Sequence, residues 1–164
     1  AMTWQFGTCV KLARLIKRWL PSVKIVVGGY HATLMYEEIG QDPGTRAIDF
    51  LIRGEGELAF RRLVNALAGE DDVAQIPSLS YRRADGGLVH NERGDLLDLS
   101  RLKLPIRDKR RLTWGYHMFY SKLEVAETSR GCTLKCKFCS MNHMYGSVRS
   151  SPRAGSEVSM PRSL

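Results

Sequence analysis

No stretch of this sequence stays apolar long enough to cross a bilayer, and nothing near the N-terminus has the charged-then-apolar pattern of a secretory signal. No membrane-spanning helix and no signal peptide are therefore expected in this segment, and the cytoplasm is the expected location. Cysteine is scarce, with four in 164 residues. That usage suits a reducing compartment, where thiols stay free for metals and are not drawn into disulfides. Aromatic residues make up 9% of the chain and do not alternate with the basic residues, as a base-stacking platform would require. A nucleic-acid partner is therefore not expected.

Charge is unevenly distributed. Residues 1–100 hold 12 Lys/Arg against 13 Asp/Glu, whereas residues 101–164 hold 13 against 4. The net charge of +8 thus belongs to the C-terminal part. A hydrophobic content of 43% is enough for a packed core.

The first hundred residues alternate between helical and strand-like patterns. From Cys9 to Trp19 the apolar set Val10, Leu12, Ala13, Leu15, Ile16 and Trp19 predicts an amphipathic helix that Pro21 stops. Lys24 to Gly29 (KIVVGG) predicts a strand buried on both faces. A short helix is expected over residues 32–40, and a second glycine-ended strand over Asp49 to Glu57 (DFLIRGEGE). Leu58 to Leu67 predicts a helix with Phe60, Leu63 and Leu67 inward and Arg61 and Arg62 outward. This alternation indicates an α/β fold with a parallel sheet. Ser78 to Glu92 then predicts a hairpin around Asp85-Gly86-Gly87. Asp95 to Leu112 reads as a linker, Lys122 to Glu127 as a new strand, and the serine-rich residues 147–164 as disordered.

The sharpest signal is Cys132-x3-Cys136-x2-Cys139. Three thiolates on one short loop can bind three irons of a 4Fe–4S cluster and leave the fourth open for chemistry. A Cys3His zinc site completed by His143 is the alternative. Structural zinc usually pairs two knuckles across a longer loop, and here all four candidates lie within twelve residues.

With Phe138 before the third cysteine, the motif resembles the signature of the radical S-adenosylmethionine superfamily. The larger order is VVGG-x-H-x-T, then DF-x-x-x-GEGE, a hairpin, a linker and TSRGC. That order resembles the cobalamin-binding members of the superfamily over roughly residues 9–146. The resemblance implies the C-terminal part of a doubly wound, flavodoxin-like cobalamin-binding domain (residues 1–76). A hairpin and linker (77–121) and the start of a partial (β/α) barrel with its cluster loop (122–146) would follow. The segment would begin inside the first domain and end just after the cluster loop, short of a complete enzyme.

The resemblance also assigns residues. Cys132, Cys136 and Cys139 would ligate the cluster, and Phe138 would sit beside the adenine of S-adenosylmethionine. Gly28, Gly29, Tyr30 and His31, with Gly54, Glu55, Gly56 and Glu57, would embrace cobalamin. The D-x-H-x-x-G motif that supplies an axial cobalt ligand elsewhere is absent, so His31 is assigned to the pocket wall and not to cobalt. The implied chemistry is cleavage of S-adenosylmethionine to a 5′-deoxyadenosyl radical, used for methyl transfer or oxidative ring closure. A small-molecule substrate and a reductant such as flavodoxin or ferredoxin would be the partners. A radical methylthiotransferase acting on transfer RNA and a non-catalytic corrinoid- or metal-binding module are the other readings. The first of these carries extra cysteines in its N-terminal domain, where this chain has only Cys9.

Among the remaining residues, Cys9 is expected in packing, His90 and His117 in solvent, and His143 in local hydrogen bonding. Arg130, just before Gly131, has two readings: a charge that stabilises the anionic cluster or its cofactor, or a solvated surface residue. The adjacent acids Glu37-Glu38 and Asp71-Asp72 cannot share a helix face and are not expected to act as acid–base pairs.

Overall fold

A computed structural model describes residues 2–103, 129–134, 136–146 and 148 in full, with the backbone alone for 117–118, 121–122 and 149–150. The architecture is mixed α/β. Helix α1 (Thr3–Trp19) leads into strand β1 (Val26–Gly28), the short helices α2 (Tyr30–Leu34) and α3 (Tyr36–Gln41), and strand β2 (Phe50–Ile52). Helix α4 (Glu57–Leu67) precedes the hairpin β3 (Leu79–Arg82) and β4 (Leu88–His90).

Successive strand side chains point to opposite faces of a sheet, and this alternation builds two cores. Val27 and Leu51 face one side, where Ala13 of α1, Ala32 of α2, Ile39 of α3 and Ile48 close over them. Phe50 and Ile52 face the other, against Ala59 and Leu63 of α4, with Ile76 and Leu79. Leu51 and Leu63 are fully buried. Each such leucine contributes about 1.5–3 kcal/mol by leaving water.

Strands β1 and β2 are parallel, with Val27 opposite Leu51. The hairpin extends the same sheet antiparallel to β2, in the order β1-β2-β3-β4. Only the first pair is therefore parallel. The hairpin turn lies where the sequence places it: Gly86 adopts φ 86°, and the Asp85 carboxylate accepts the Gly87 N–H at 2.8 Å.

Helix α1 starts six residues earlier than its pattern predicts. The Gln5 side chain accepts the Met2 N–H at 3.2 Å, which extends the N-terminus by a capping interaction. The expected inward set is largely exposed. Of it only Ala13 is buried, while Leu12, Leu15 and Trp19 lie more than half exposed. Among the described strands β1 pairs only with β2, and α1 packs on this side through Phe6, Val10 and Ala13. On α4 the buried residues are Ala59 and Leu63; Phe60 and Leu67 point outward, contrary to expectation.

Residues 32–40 do not form one helix; a break at Met35 separates α2 from α3. Asp49 ties α1 to the sheet, accepting the Ile25 N–H at 2.7 Å and pairing with Lys17 at 2.7 Å. His90 is not solvated as expected. Its Nδ1 lies 2.8 Å from the Ser80 hydroxyl, its ring packs edgewise on Tyr36, and burial together with Arg53 lowers its pKa.

Asp71 and Asp72 follow α4 outside any helix and have different partners. Asp72 accepts the Ala74 N–H, and Asp71 takes a two-pronged contact from Arg62 at 2.7 and 2.9 Å. The hydrogen bonds from Arg62 lower the Asp71 pKa from 3.8 to about 2. A depressed carboxylate contributes stability above its unfolded pKa, and that stability is lost as pH falls through the folded value. The loss therefore spans pH 3.8 down to about 2. Carbon-detected NMR titration should place the Asp71 midpoint at about 2. In Arg62→Gln it should move back toward the ordinary carboxylate range.

Candidate functional site

Both glycine-ended strands deliver their loops to one edge of the sheet, and the conformations there need glycine. Gly29, just after β1, has φ 93°, and Gly54, two residues after β2, has φ 75°. A side chain at either position would meet the left-handed-region penalty. Thr33 links the two loops. Its hydroxyl donates to the Gly29 carbonyl at 2.8 Å and accepts the Gly54 N–H at 2.9 Å. The threonine of the GG-x-H-x-T run is thus the clamp that holds the loops side by side.

Between the loops lies a cavity of about 490 Å³. Gly28, Gly29, Gly54, Glu55, Gly56 and Glu57 line it, with Ile52 and Phe60 as apolar wall. This placement explains the exposed Phe60, which faces the cavity and not the core. Its other wall comes from the cysteine-loop region: Arg130, Met144 and Tyr145. These belong to strand β7 (Ser129–Arg130) and helix α5 (Met141–Tyr145); Gly131, directly after β7, has φ 93°. Two short ribbons are also described. Strand β5 (His117–Met118) pairs with β6 (Ser121–Lys122), and β7 pairs with β8 (Arg149–Ser150).

Tyr30 does not line the cavity but packs edgewise against Tyr145, with centroids 6.0 Å apart. His31 departs from its expected place in the pocket wall. Its ring stacks on Phe6 of α1 at 4.1 Å, and Nδ1 lies 3.3 Å from the Thr3 hydroxyl. The helical turn at Tyr30–Leu34 directs it back toward α1, where burial lowers its pKa.

The three cysteines lie on one loop between β7 and α5, all as free, half-buried thiols. The Cys139 N–H donates to the Cys136 carbonyl at 3.1 Å, closing a turn, and Asn142 holds the loop through the Leu134 carbonyl at 2.8 Å. No group of three His, Cys, Asp or Glu side chains among the described residues is drawn together closely enough to hold a metal ion. The donor type fits a thiolate-ligated cluster, since all three thiols are free and on one loop. For cobalamin the fit rests on the cavity, whose glycine-lined floor lets backbone approach a large ligand. Phe138 is 93% exposed on the loop and lies away from the cavity. His143 is exposed, and its carbonyl accepts from Arg93 at 2.7 Å.

Arg130 is not a solvated surface group: its side chain is 16% exposed, and its guanidinium bridges Glu55, at 3.0 Å, and Glu57. The same Glu55 accepts the Leu97 N–H at 2.7 Å. The sequence offers no signal for these pairings, nor for Met144 and Tyr145 in the wall, because partners some 50 to 75 residues apart share no local pattern. The expected strand Lys122 to Glu127 falls mostly outside the described residues, as does the tail beyond Ser150 and the side chain of His117.

Comparison with known proteins agrees with this geometry. Residues 1–64 match the B12 binding domain. The chain is 32% identical over 148 residues to the cobalamin-dependent radical SAM methyltransferase TokK of Streptomyces tokunonensis, covering 83% of this chain and 20% of that protein. It is 27% identical over 144 residues to the anaerobic magnesium-protoporphyrin IX monomethyl ester cyclase of Synechocystis, covering 85% of this chain and 27% of that protein. Among solved structures, the cobalamin-dependent S-adenosylmethionine radical enzyme OxsB superposes with a TM-score of 0.62 at 22% identity, over 90% of this chain and 20% of that one. That likeness shows the fold. The chain spans between a fifth and three tenths of the length of the curated relatives it matches. Residues 1–64 thus match a B12 binding domain, and over more than four fifths of its length the chain is similar to a cobalamin-dependent radical SAM methyltransferase.

Proposed function

We propose that the protein containing this chain is a cobalamin-dependent radical S-adenosylmethionine enzyme that performs methyl transfer or oxidative cyclisation on a small-molecule substrate in the cytoplasm. The observation that carries this reading is the cavity where both glycine loops face the wall built by β7 and α5. Six residues singled out for cobalamin, together with the arm that leads into the cysteine loop, border one space. When bound, the cofactors supply the difficult chemistry: one-electron cleavage of S-adenosylmethionine by a 4Fe–4S cluster and carriage of a methyl group by cobalamin.

The chain's own residues would bind and orient. Gly28, Gly29, Gly54 and Gly56 give the corrinoid tail close backbone approach, while Ile52 and Phe60 keep one wall dry. Cys132, Cys136 and Cys139 would hold the cluster, with Phe138 available beside an adenine. A reductant such as flavodoxin or ferredoxin would deliver the electron. Among the described residues no helix is long and apolar enough to cross a membrane.

The test uses the whole protein, purified and reconstituted anaerobically with iron and sulfide. It should retain aquacobalamin through gel filtration at one corrinoid per chain and release 5′-deoxyadenosine from S-adenosylmethionine under dithionite. Corrinoid retention without cleavage would mark a binding module and refute the enzyme reading. Absence of both would refute the proposal entirely.

A further inference from the structure

We propose that Arg130 is a positioning residue, a latch that holds the cysteine loop against the strand-end cavity through Glu55 and Glu57. The inference deepens the proposed function and rests on it for the identity of what the loop and cavity bind; the latch itself stands on geometry alone.

Arg130 ends β7, two residues before Cys132, and its side chain is only 16% exposed. Glu55, its partner at 3.0 Å, is 2% exposed and belongs to the loop after β2, 75 residues away. A carboxylate so far out of water needs a counter-charge. Its second oxygen is taken by the Leu97 N–H at 2.7 Å, so the linker that follows the hairpin joins the same carboxylate. Arg130 also reaches Glu57 through its other terminal nitrogen. The planar guanidinium presents a separate nitrogen to each carboxylate in fixed geometry, which the single ammonium of lysine does not reproduce.

A second arginine grips the loop from the opposite direction. Arg93, leaving β4, donates to the carbonyls of His143 and Met144 at 2.7 and 3.2 Å. These carbonyls end α5, where the helix dipole favours a cation. Between the two arginines, Met144 is buried at 5% and Tyr145 packs against Tyr30, with the Arg130 guanidinium 5.9 Å from the Tyr145 ring centre. One arginine comes from each side of the contact and binds groups on the other. Such reciprocity fixes the loop's orientation as well as its attachment.

Hydrogen–deuterium exchange on the whole protein, with and without aquacobalamin, tests the latch. In Arg130→Ala the amides of residues 141–146 should exchange at least about tenfold faster while those of α1 keep their wild-type rates. Arg130→Lys, which retains the charge but not the paired nitrogens, should recover part of the protection. Adding Glu55→Gln to Arg130→Ala should cause no further loosening, because the two residues act through one contact. Unchanged protection at 141–146 in Arg130→Ala would overturn the latch, as would a parallel rise in α1 or a lysine variant no better than alanine. Wild-type protein that binds no aquacobalamin would instead refute the proposed function and leave the exchange result standing.

Discussion

The Cys136→Ala variant of the whole protein is expected to lose its iron–sulfur cluster and, with it, all reductive cleavage of S-adenosylmethionine. The physical reason is coordination number. Three thiolates hold three irons of a cube and leave the fourth open, and removing one opens a second iron to solvent. Iron and labile sulfide should fall from about four per chain to near zero, because the remaining two thiols cannot retain the cube. Cys9→Ala is the control: Cys9 is a half-buried thiol on α1, in a different part of the sheet assembly, and its removal should leave both measurements unchanged. The same assay decides the zinc alternative. Tightly bound zinc without sulfide in the wild-type protein would end the cluster assignment, and loss of that zinc in His143→Ala would identify the fourth ligand.

Two glycine substitutions at the cavity are expected to separate ligand binding from backbone strain. Gly28 lies in β1 at an ordinary φ, and a Cβ there would meet the Ile52 carbonyl at 3.5 Å, a normal contact. Leucine at this position costs the fold little, but its side chain enters the space that Gly28 lines. Gly28→Leu should weaken aquacobalamin binding by at least about tenfold, or about 1.4 kcal/mol, with melting temperature within about 2 °C of wild type.

Gly54→Ala should add a loss of fold stability. Its Cβ has room, 3.6 Å from the Arg93 guanidinium, but φ 75° carries the left-handed penalty. A cost of about 1–2 kcal/mol lowers the melting temperature by about 2–8 °C in a chain of this size. Absorbance titration and calorimetry read the two effects. Wild-type corrinoid affinity in Gly28→Leu would show that the cavity is not the binding site.

Parts of this architecture were legible in local pattern. The run KIVVGG announces a strand through its successive β-branched residues, though of β1 only Val27 is buried. The turn at Asp85-Gly86-Gly87 is equally local, since positive φ and an aspartate cap are properties of those residues alone. Patterns failed where exposure depended on neighbours. Leu12, Leu15, Trp19 and Phe60 sit at helix-repeat positions, yet whether they are covered depends on what packs beside β1 and what the cavity leaves open. His31 and His90 exchanged their expected surroundings for the same reason.

By itself the sequence determined the α/β character, the two glycine turns and the cysteine spacing, because each is encoded within a few neighbouring residues. The tertiary structure alone decided that the glycine loops share one cavity, that Thr33 clamps them, and that Arg130 turns to Glu55 and Glu57. Those pairings join residues up to 75 positions apart, and a buried charge chooses its partner by proximity in space, which no local periodicity records.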